Sequence, residues 1–378
     1  MKKITFLLLT LFITNFNNAQ NKVLDSLVQK NGFPFQTNKN ISFQGKGWDV
    51  LLNEIKQSNS VLLGEIHFTN EIPYFTNAII NEVDFDNYFL EVDPYSVALI
   101  EKKIKSLSAD ELNSFVKEYY TNFSFLEYEA EFALIKNIVK RNTKIYGVEQ
   151  MSVSADQMII SNLKETSKNK KVIEIYDQML QNSKLAASKE GMEKYYMLSE
   201  DCLQKLDLLL KLKLSDKERK QIEAFKLSRE IYTKRSHPLR IQLMKNILLN
   251  QMPDWNNKKN LFKFGANHLP KGETILTKTD LYDIGSLISN IEEANYRKSL
   301  HIMVVGKGED EDDNSSFKPF LNMVNDEQWY CFDLRPLKKS ILQNKLKVDD
   351  VYLSRVIKGY DYLIYIPKVT ESKAITIK

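Results

Sequence analysis

Two stretches of the sequence place an imidazole three residues after a glycine, each at the end of an apolar run. The first is Leu62-Leu63-Gly64-Glu65-Ile66-His67 and the second is Phe264-Gly265-Ala266-Asn267-His268. They lie 201 residues apart in a chain with only four histidines. A histidine beside a carboxylate is the usual equipment for moving a proton in the transition state, and Glu65 stands two residues before His67. Two more apolar runs also end in acids: Glu91 and Asp93 follow "NYFL", and Glu149 follows "KIYGV". Glycine at such an end lets the backbone turn sharply or approach another group closely.

The chemistry this pattern suggests is hydrolysis. His67 would act as general base on a water, with Glu65 or Glu91 orienting the ring and raising its basicity. His268 would protonate the leaving group or stabilise the oxyanion. A metal-assisted variant stays open, in which His67, His268 and one of Glu65 or Glu91 hold a divalent cation and leave a position for water. The sequence contains no Gly-x-Ser-x-Gly, no His-Glu-x-x-His and no Cys-x-x-Cys-His. A serine elbow, zincin chemistry and covalent haem are therefore not indicated. His301 and His237 read as structural, the first inside a strand and the second between Ser236 and Pro238 at a helix start. Arg240, on that same helix, reads from the residues alone as a surface arginine.

For these residues to meet, strands must bring them to one edge. Short runs rich in Val, Ile, Leu, Phe and Tyr occur at 60–64, 87–93, 144–149, 260–268, 300–308, 329–334 and 361–366. None alternates cleanly, which predicts strands buried on both faces. Helix-length amphipathic patterns stand between them, at "GWDVLLNEIKQ", "EIPYFTNAIINEV" and "FLEYEAEFALIKNIVKR". The expected fold is α/β, a central parallel or mixed sheet flanked by helices. In such a sheet, ligands bind beyond the strand C-termini. Residues 152–252 hold no strand pattern and read as a helical insertion within one domain spanning 21–378. "SADE" at 108–111 and "SDKE" at 215–218 fit the capping box. "GEDEDDNSS" at 308–316 reads as a solvated acidic loop without EF-hand spacing.

Residues 1–20 have a basic start at Lys2 and Lys3, an apolar segment and a small residue at Ala19. That is the form of a signal peptide, and it predicts an exported protein, periplasmic or secreted, with no stable membrane insertion after cleavage. Removing these residues takes away two lysines and no acid, so the net charge falls from +4 to +2. That excludes a global field suited to nucleic acid, and a small-molecule substrate is expected. Cys202 and Cys331 are expected as buried thiols, although export would permit a bridge.

On these motifs the chain resembles a superfamily that unites erythromycin esterase-like proteins, ChaN-like haem-binding lipoproteins, and the TraB and Tiki proteins, some of which are metalloproteases. The marks are "LLGEIH", "FLEVD", "GVE", "RIQLMKN" and "FGANHLPKG", and the esterase-like branch is nearest. The resemblance implies a catalytic set of Glu65, His67, Glu91, Arg240 and His268, with Asp93, Glu149 and Asn267 contacting substrate. It moves Arg240 from the surface to the site. It also implies two alternatives: a protein binding haem or another small ligand, or a metal-dependent peptidase. Where the esterases often carry a further histidine near the first motif, this chain has Phe68-Thr69-Asn70, so macrolide hydrolysis does not follow from the likeness.

Overall fold

The computed structural model describes residues 22–39, 41–307, 315–325 and 327–376. The expected signal peptide and most of the expected acidic loop lie outside them. Along the chain, helix α1 (22–31) leads into strands β1 (Gly32–Asn38) and β2 (Ser42–Gln44). Then come α2 (Lys46–Gln57), β3 (Ser60–Glu65), α3 (Glu71–Glu82), β4 (Asn87–Leu90), α4 (Pro94–Ser106), α5 (Ala109–Tyr119), α6 (Glu129–Lys140) and β5 (Lys144–Gly147). Helices alone follow: α7 (Asp156–Thr166), α8 (Lys170–Ala187), α9 (Glu200–Leu210), α10 (Asp216–Lys234), α11 (His237–Asn250) and α12 (Met252–Trp255). The chain ends with β6 (Asn260–Gly265), α13 (Ile284–Ala294), β7 (Ser299–Gly306), α14 (Lys318–Leu321), β8 (Trp329–Asp333), α15 (Arg335–Leu342), α16 (Val351–Gly359) and β9 (Tyr362–Ile366). This is the expected α/β class with a helical stretch before the second Gly-x-x-His. Among the described residues no helix is long and apolar enough to cross a membrane.

The chain forms two compact units. One comprises the residues up to Asp84 together with Leu261–Glu371; the other comprises Phe85–Asn260 and the segment from Ser372 on. In the first, the strand order is β2-β1-β8-β9-β7-β3-β6. β3 and β9 both run parallel to β7, whereas β8 is antiparallel to β9 and β1, and β1 is antiparallel to β2. Every residue of β3, β6 and β9 is buried, which is why these strands are mostly apolar rather than alternating, with Lys263 the charge inside β6. The hairpin side is fixed by rings: Phe43 meets Trp329 at 5.0 Å, Trp48 at 5.2 Å and Phe75 at 5.4 Å. That contact pins α2 and α3 to the sheet, and α3 directly follows the first motif.

The second unit contains β4 paired in parallel with β5. Its helices pack around a core that includes Tyr176, Met179, Leu206 and Phe225. Both expected capping boxes are present, at Ser108–Glu111 and Ser215–Glu218. Cys202 and Cys331 are free and buried.

Two differences from the sequence reading have clear causes. β4 stops at Leu90, β5 at Gly147 and β6 at Gly265, two or three residues before the apolar-plus-acid runs suggested. The polar residues that close each run bond outside the sheet ladder; Asp93, for instance, accepts from Tyr95 and Ser96 N–H at the start of α4, and Glu149 accepts from Gln150 N–H. The β1–β2 pair was not anticipated. β1 buries only Phe35 fully and carries Pro34, so it lacks both an apolar run and an intact set of donors.

Gly64 controls how the first unit closes. A Cβ there would stand 2.7 Å from the Tyr360 hydroxyl and 3.1 Å from the Ala266 Cα. The glycine of the first motif thus packs on the backbone of the second, and the Tyr360 hydroxyl donates to the Ala266 carbonyl. Gly265, by contrast, has an ordinary φ of −52°. Gly64→Ala is expected to destabilise the protein by about 1–3 kcal/mol through overpacking, measured by urea unfolding; an unchanged midpoint would show that the neighbours give way.

Candidate active site

Each expected histidine is held by a buried carboxylate through the same ring atom. His67 Nδ1 lies 3.0 Å from Glu65 Oε1, and His268 Nδ1 lies 2.8 Å from Asp283 Oδ2. Glu65, at the last position of β3, is 8% exposed; Asp283 and His268 are 1% and 4% exposed. The His67 side chain keeps 25% of its surface open. A carboxylate accepts, so each ring donates from Nδ1, and Nε2 is then a base in the neutral ring and a proton donor in the imidazolium. The neutral form is the one a general base requires and the protonated form the one a general acid requires.

The partner of Glu65 on its other side is Lys263. Its Nζ lies 2.8 Å from Glu65 Oε2, and the lysine side chain is 4% exposed. Burial alone would raise the Glu65 pKa, but the charge of Lys263 and the hydrogen bond and charge of His67 outweigh it and hold the carboxyl below its usual range. The result is a line, Lys263–Glu65–His67, running from β6 to β3 to the loop after β3. Asp283 is fixed in a similar way: its Oδ1 accepts from the Ile284 N–H, capping α13, while its Oδ2 holds His268. Asn267, half-buried, uses its carbonyl to accept from the Thr274 hydroxyl.

The sequence reading missed Lys263 and Asp283. Lys263 left a signal, a lone charge inside the wholly buried run "NLFKFG". Asp283 was readable as a helix cap before "IGSLI", but nothing in its local sequence points to a histidine fifteen residues earlier. His301 is structural, as expected. It is fully buried, with Nδ1 2.6 Å from the Leu269 carbonyl and Nε2 3.1 Å from Ser299 Oγ, and burial pushes its pKa down to about 3. His237 is the first residue of α11, behind the cap Ser236.

The remaining candidates fall in the second unit. Arg240 Nε donates to both oxygens of Glu149, at 3.0 and 2.9 Å, and its Nη2 donates to Glu91 at 2.5 Å and again to Glu149. Burial would lower the arginine's pKa, but Glu149 and Glu91 raise it further. This is a mostly buried tie between α11 and the ends of β4 and β5, not a surface arginine. Asp93, 1% exposed, caps α4. Burial lifts its pKa to about 6, and Glu149 adds to the rise.

The donor sets do not suit a metal ion. Among the described residues no group of three or more His, Cys, Asp or Glu side chains is arranged to hold one. Glu65 is shared between an ammonium and an imidazole, and Asp283 between an imidazole and a helix N-terminus. A His67–His268 metal centre is therefore not supported by this arrangement, and no step is routed through one.

No family model matches the chain, and no curated protein matches it. Solved structures do. A Bacillus cereus protein shares 15% identity over 94% of this chain and 99% of its own, with a TM-score of 0.56. A succinoglycan biosynthesis protein shares 14% over 95% and 99%, with a TM-score of 0.58. A mutant of the erythromycin esterase EreC in its open conformation shares 12% over 86% and 94%, with a TM-score of 0.55. The α/β architecture is thus one that an esterase also uses, over nearly the whole length of both chains. At these identities the likeness defines the fold and leaves the chemistry to the side chains.

Lys263→Met strands a buried carboxylate and is expected to cost about 3–5 kcal/mol, whereas Lys263→Met with Glu65→Gln recovers part of that loss; denaturant titration of both variants checks it. Asp93 has a raised folded pKa, so its contribution to stability is fully present below pH 3.8 and is lost as pH rises through about 6. Asp93→Asn, which keeps a capping oxygen, is expected to raise the melting temperature relative to the parent at pH 8 and not at pH 4. Equal shifts at both pH values would refute the assignment.

Proposed function

We propose that this protein is a hydrolase that activates water against an ester, lactone or amide of a small molecule. The observation that carries the reading is the pair of carboxylate-anchored imidazoles on adjoining segments of one unit. His67, ordered by Glu65 and Lys263 and partly open to solvent, takes the proton of the attacking water. His268, ordered by Asp283, gives a proton to the leaving group or to the developing oxyanion. Two imidazoles with separate buried partners can hold different protonation states at one pH, which an acid and a base working together require. The shared fold with an esterase supports the same class.

Asn267, next to His268 in the same unit, is proposed to assist in holding substrate. We also infer export, periplasmic or secreted, from the basic, apolar and small residues of segment 1–20.

The test is hydrolysis of 4-nitrophenyl acetate across a pH range. The parent protein should turn it over, and His67→Ala and His268→Ala should each lower kcat by roughly 100- to 10,000-fold with the fold intact by circular dichroism. Full activity in both variants would end the proposal.

A further inference from the structure

The loop that carries His67 exposes apolar side chains on both sides of the imidazole. Ile66 is 41% exposed and Phe68 53%, and Tyr74, in the first turn of α3, is 40% exposed. Single exposed apolar residues are ordinary. Three fall within nine positions, two of them flanking a partly open imidazole, and exposed apolar side chains gathered beside such a group can mark a binding surface. The Phe68 ring centroid lies 5.9 Å from that of His67, inclined at 55°.

The backbone is also held where an aromatic residue does not settle by itself. Phe68 has φ +69°, a left-handed conformation disfavoured for a bulky side chain. It persists because the next residues are clamped by a distant segment. Thr69 bridges to Glu371. Asn70 N–H donates to the Thr370 carbonyl at 3.0 Å, and its side chain donates to the Glu371 carbonyl at 2.7 Å. Thr370 donates back to Glu71 from its N–H at 2.9 Å and its hydroxyl at 2.8 Å. Backbone strain clusters at functional sites, and at Phe68 it coincides with an exposed apolar ring beside the candidate base.

We propose that Ile66, Phe68 and Tyr74 seat the acyl chain of the substrate, so that the site takes esters of apolar, medium-length acyl groups. This rests on the hydrolase reading above. A chain laid on the Phe68 ring brings its carbonyl carbon toward the His67 imidazole, and the patch carries no charge to reward an acidic or strongly polar acyl group. The acyl chain lies on an open surface, so each methylene adds less than the gain of full burial, and kcat/KM is expected to rise about tenfold from a two-carbon to an eight-carbon acyl group.

The experiment compares 4-nitrophenyl acetate with 4-nitrophenyl octanoate on the parent protein, Phe68→Ala and Phe68→Gly. The readout is the ratio of the two kcat/KM values, from which any loss of folded protein cancels. Glycine accepts the left-handed conformation, so Phe68→Gly removes the ring without asking the loop to refold. The ratio should collapse to about twofold or less in both variants; a ratio retained in Phe68→Gly overturns the proposal. A second arm needs no turnover. With only four histidines in the chain, the ring signals of 15N-histidine-labelled protein can be assigned by substitution and followed as octanoate or acetate is added. Octanoate should shift the His67 signal in the parent and not in Phe68→Gly, and acetate in neither. If the parent hydrolyses no ester, the hydrolase reading fails, and this titration alone decides the acyl seat; no octanoate shift overturns it.

Discussion

The organisation of the first unit depends on one close approach. β3 can lie against the backbone after β6 because position 64 has no side chain, and Tyr360 locks the contact by bonding to the Ala266 carbonyl. Everything useful about the two histidines follows from that seam. Glu65, one residue beyond Gly64, reaches Lys263 in β6, and His67, two residues further on, reaches back to Glu65. The seam spends backbone packing, rather than side chains, on bringing two distant sequence segments together. The side chains on either side are therefore left to the Lys263–Glu65–His67 and His268–Asp283 contacts.

The electrostatics of this region are arranged in opposed pairs. A buried carboxylate by itself would hold a proton and be of no use for orienting an imidazole. Lys263 prevents that for Glu65 by supplying a positive charge from inside the sheet. Asp93, in the second unit, shows the opposite outcome in the same protein: it too is buried, the charge acting on it is that of Glu149 rather than of a lysine, and its pKa climbs to about 6. The contrast explains why the acid next to His67 needs a lysine in an otherwise apolar strand, a placement that would be costly without its partner.

Much of the architecture was legible in the sequence because burial on both faces leaves a plain mark. The runs at 60–64, 300–308 and 361–366 are dominated by apolar residues, and each contains a strand buried along nearly its whole length. The helical stretch after residue 152 and the two capping boxes were equally plain, since both rest on short-range periodicity. What was illegible depends on partners far away in the chain. β1 presents Pro34 and a single buried ring, and is a strand only because β8 and β2 flank it. Asp283 looks like any helix cap until the fold sets it against His268. Arg240 looked solvent-facing because an arginine near the start of a helix is usually exposed; Glu91 and Glu149, 149 and 91 residues before it, claim its guanidinium. Residue type announced the histidines and acids, and only tertiary contact told which acid belongs to which cation.

The clamp on the loop after β3 has a consequence for biogenesis. Residues 69–71 are among the early parts of the chain to be synthesised, yet their hydrogen-bonding partners are Thr370 and Glu371, some three hundred positions later. Such a contact has a very high sequence separation, and loop closure over that span costs chain entropy before the contact rewards it. The hydrogen bonds beside the left-handed Phe68 therefore cannot form on the ribosome until residues 370 and 371 have been made. The loop that carries His67 is completed by one of the last segments to be synthesised.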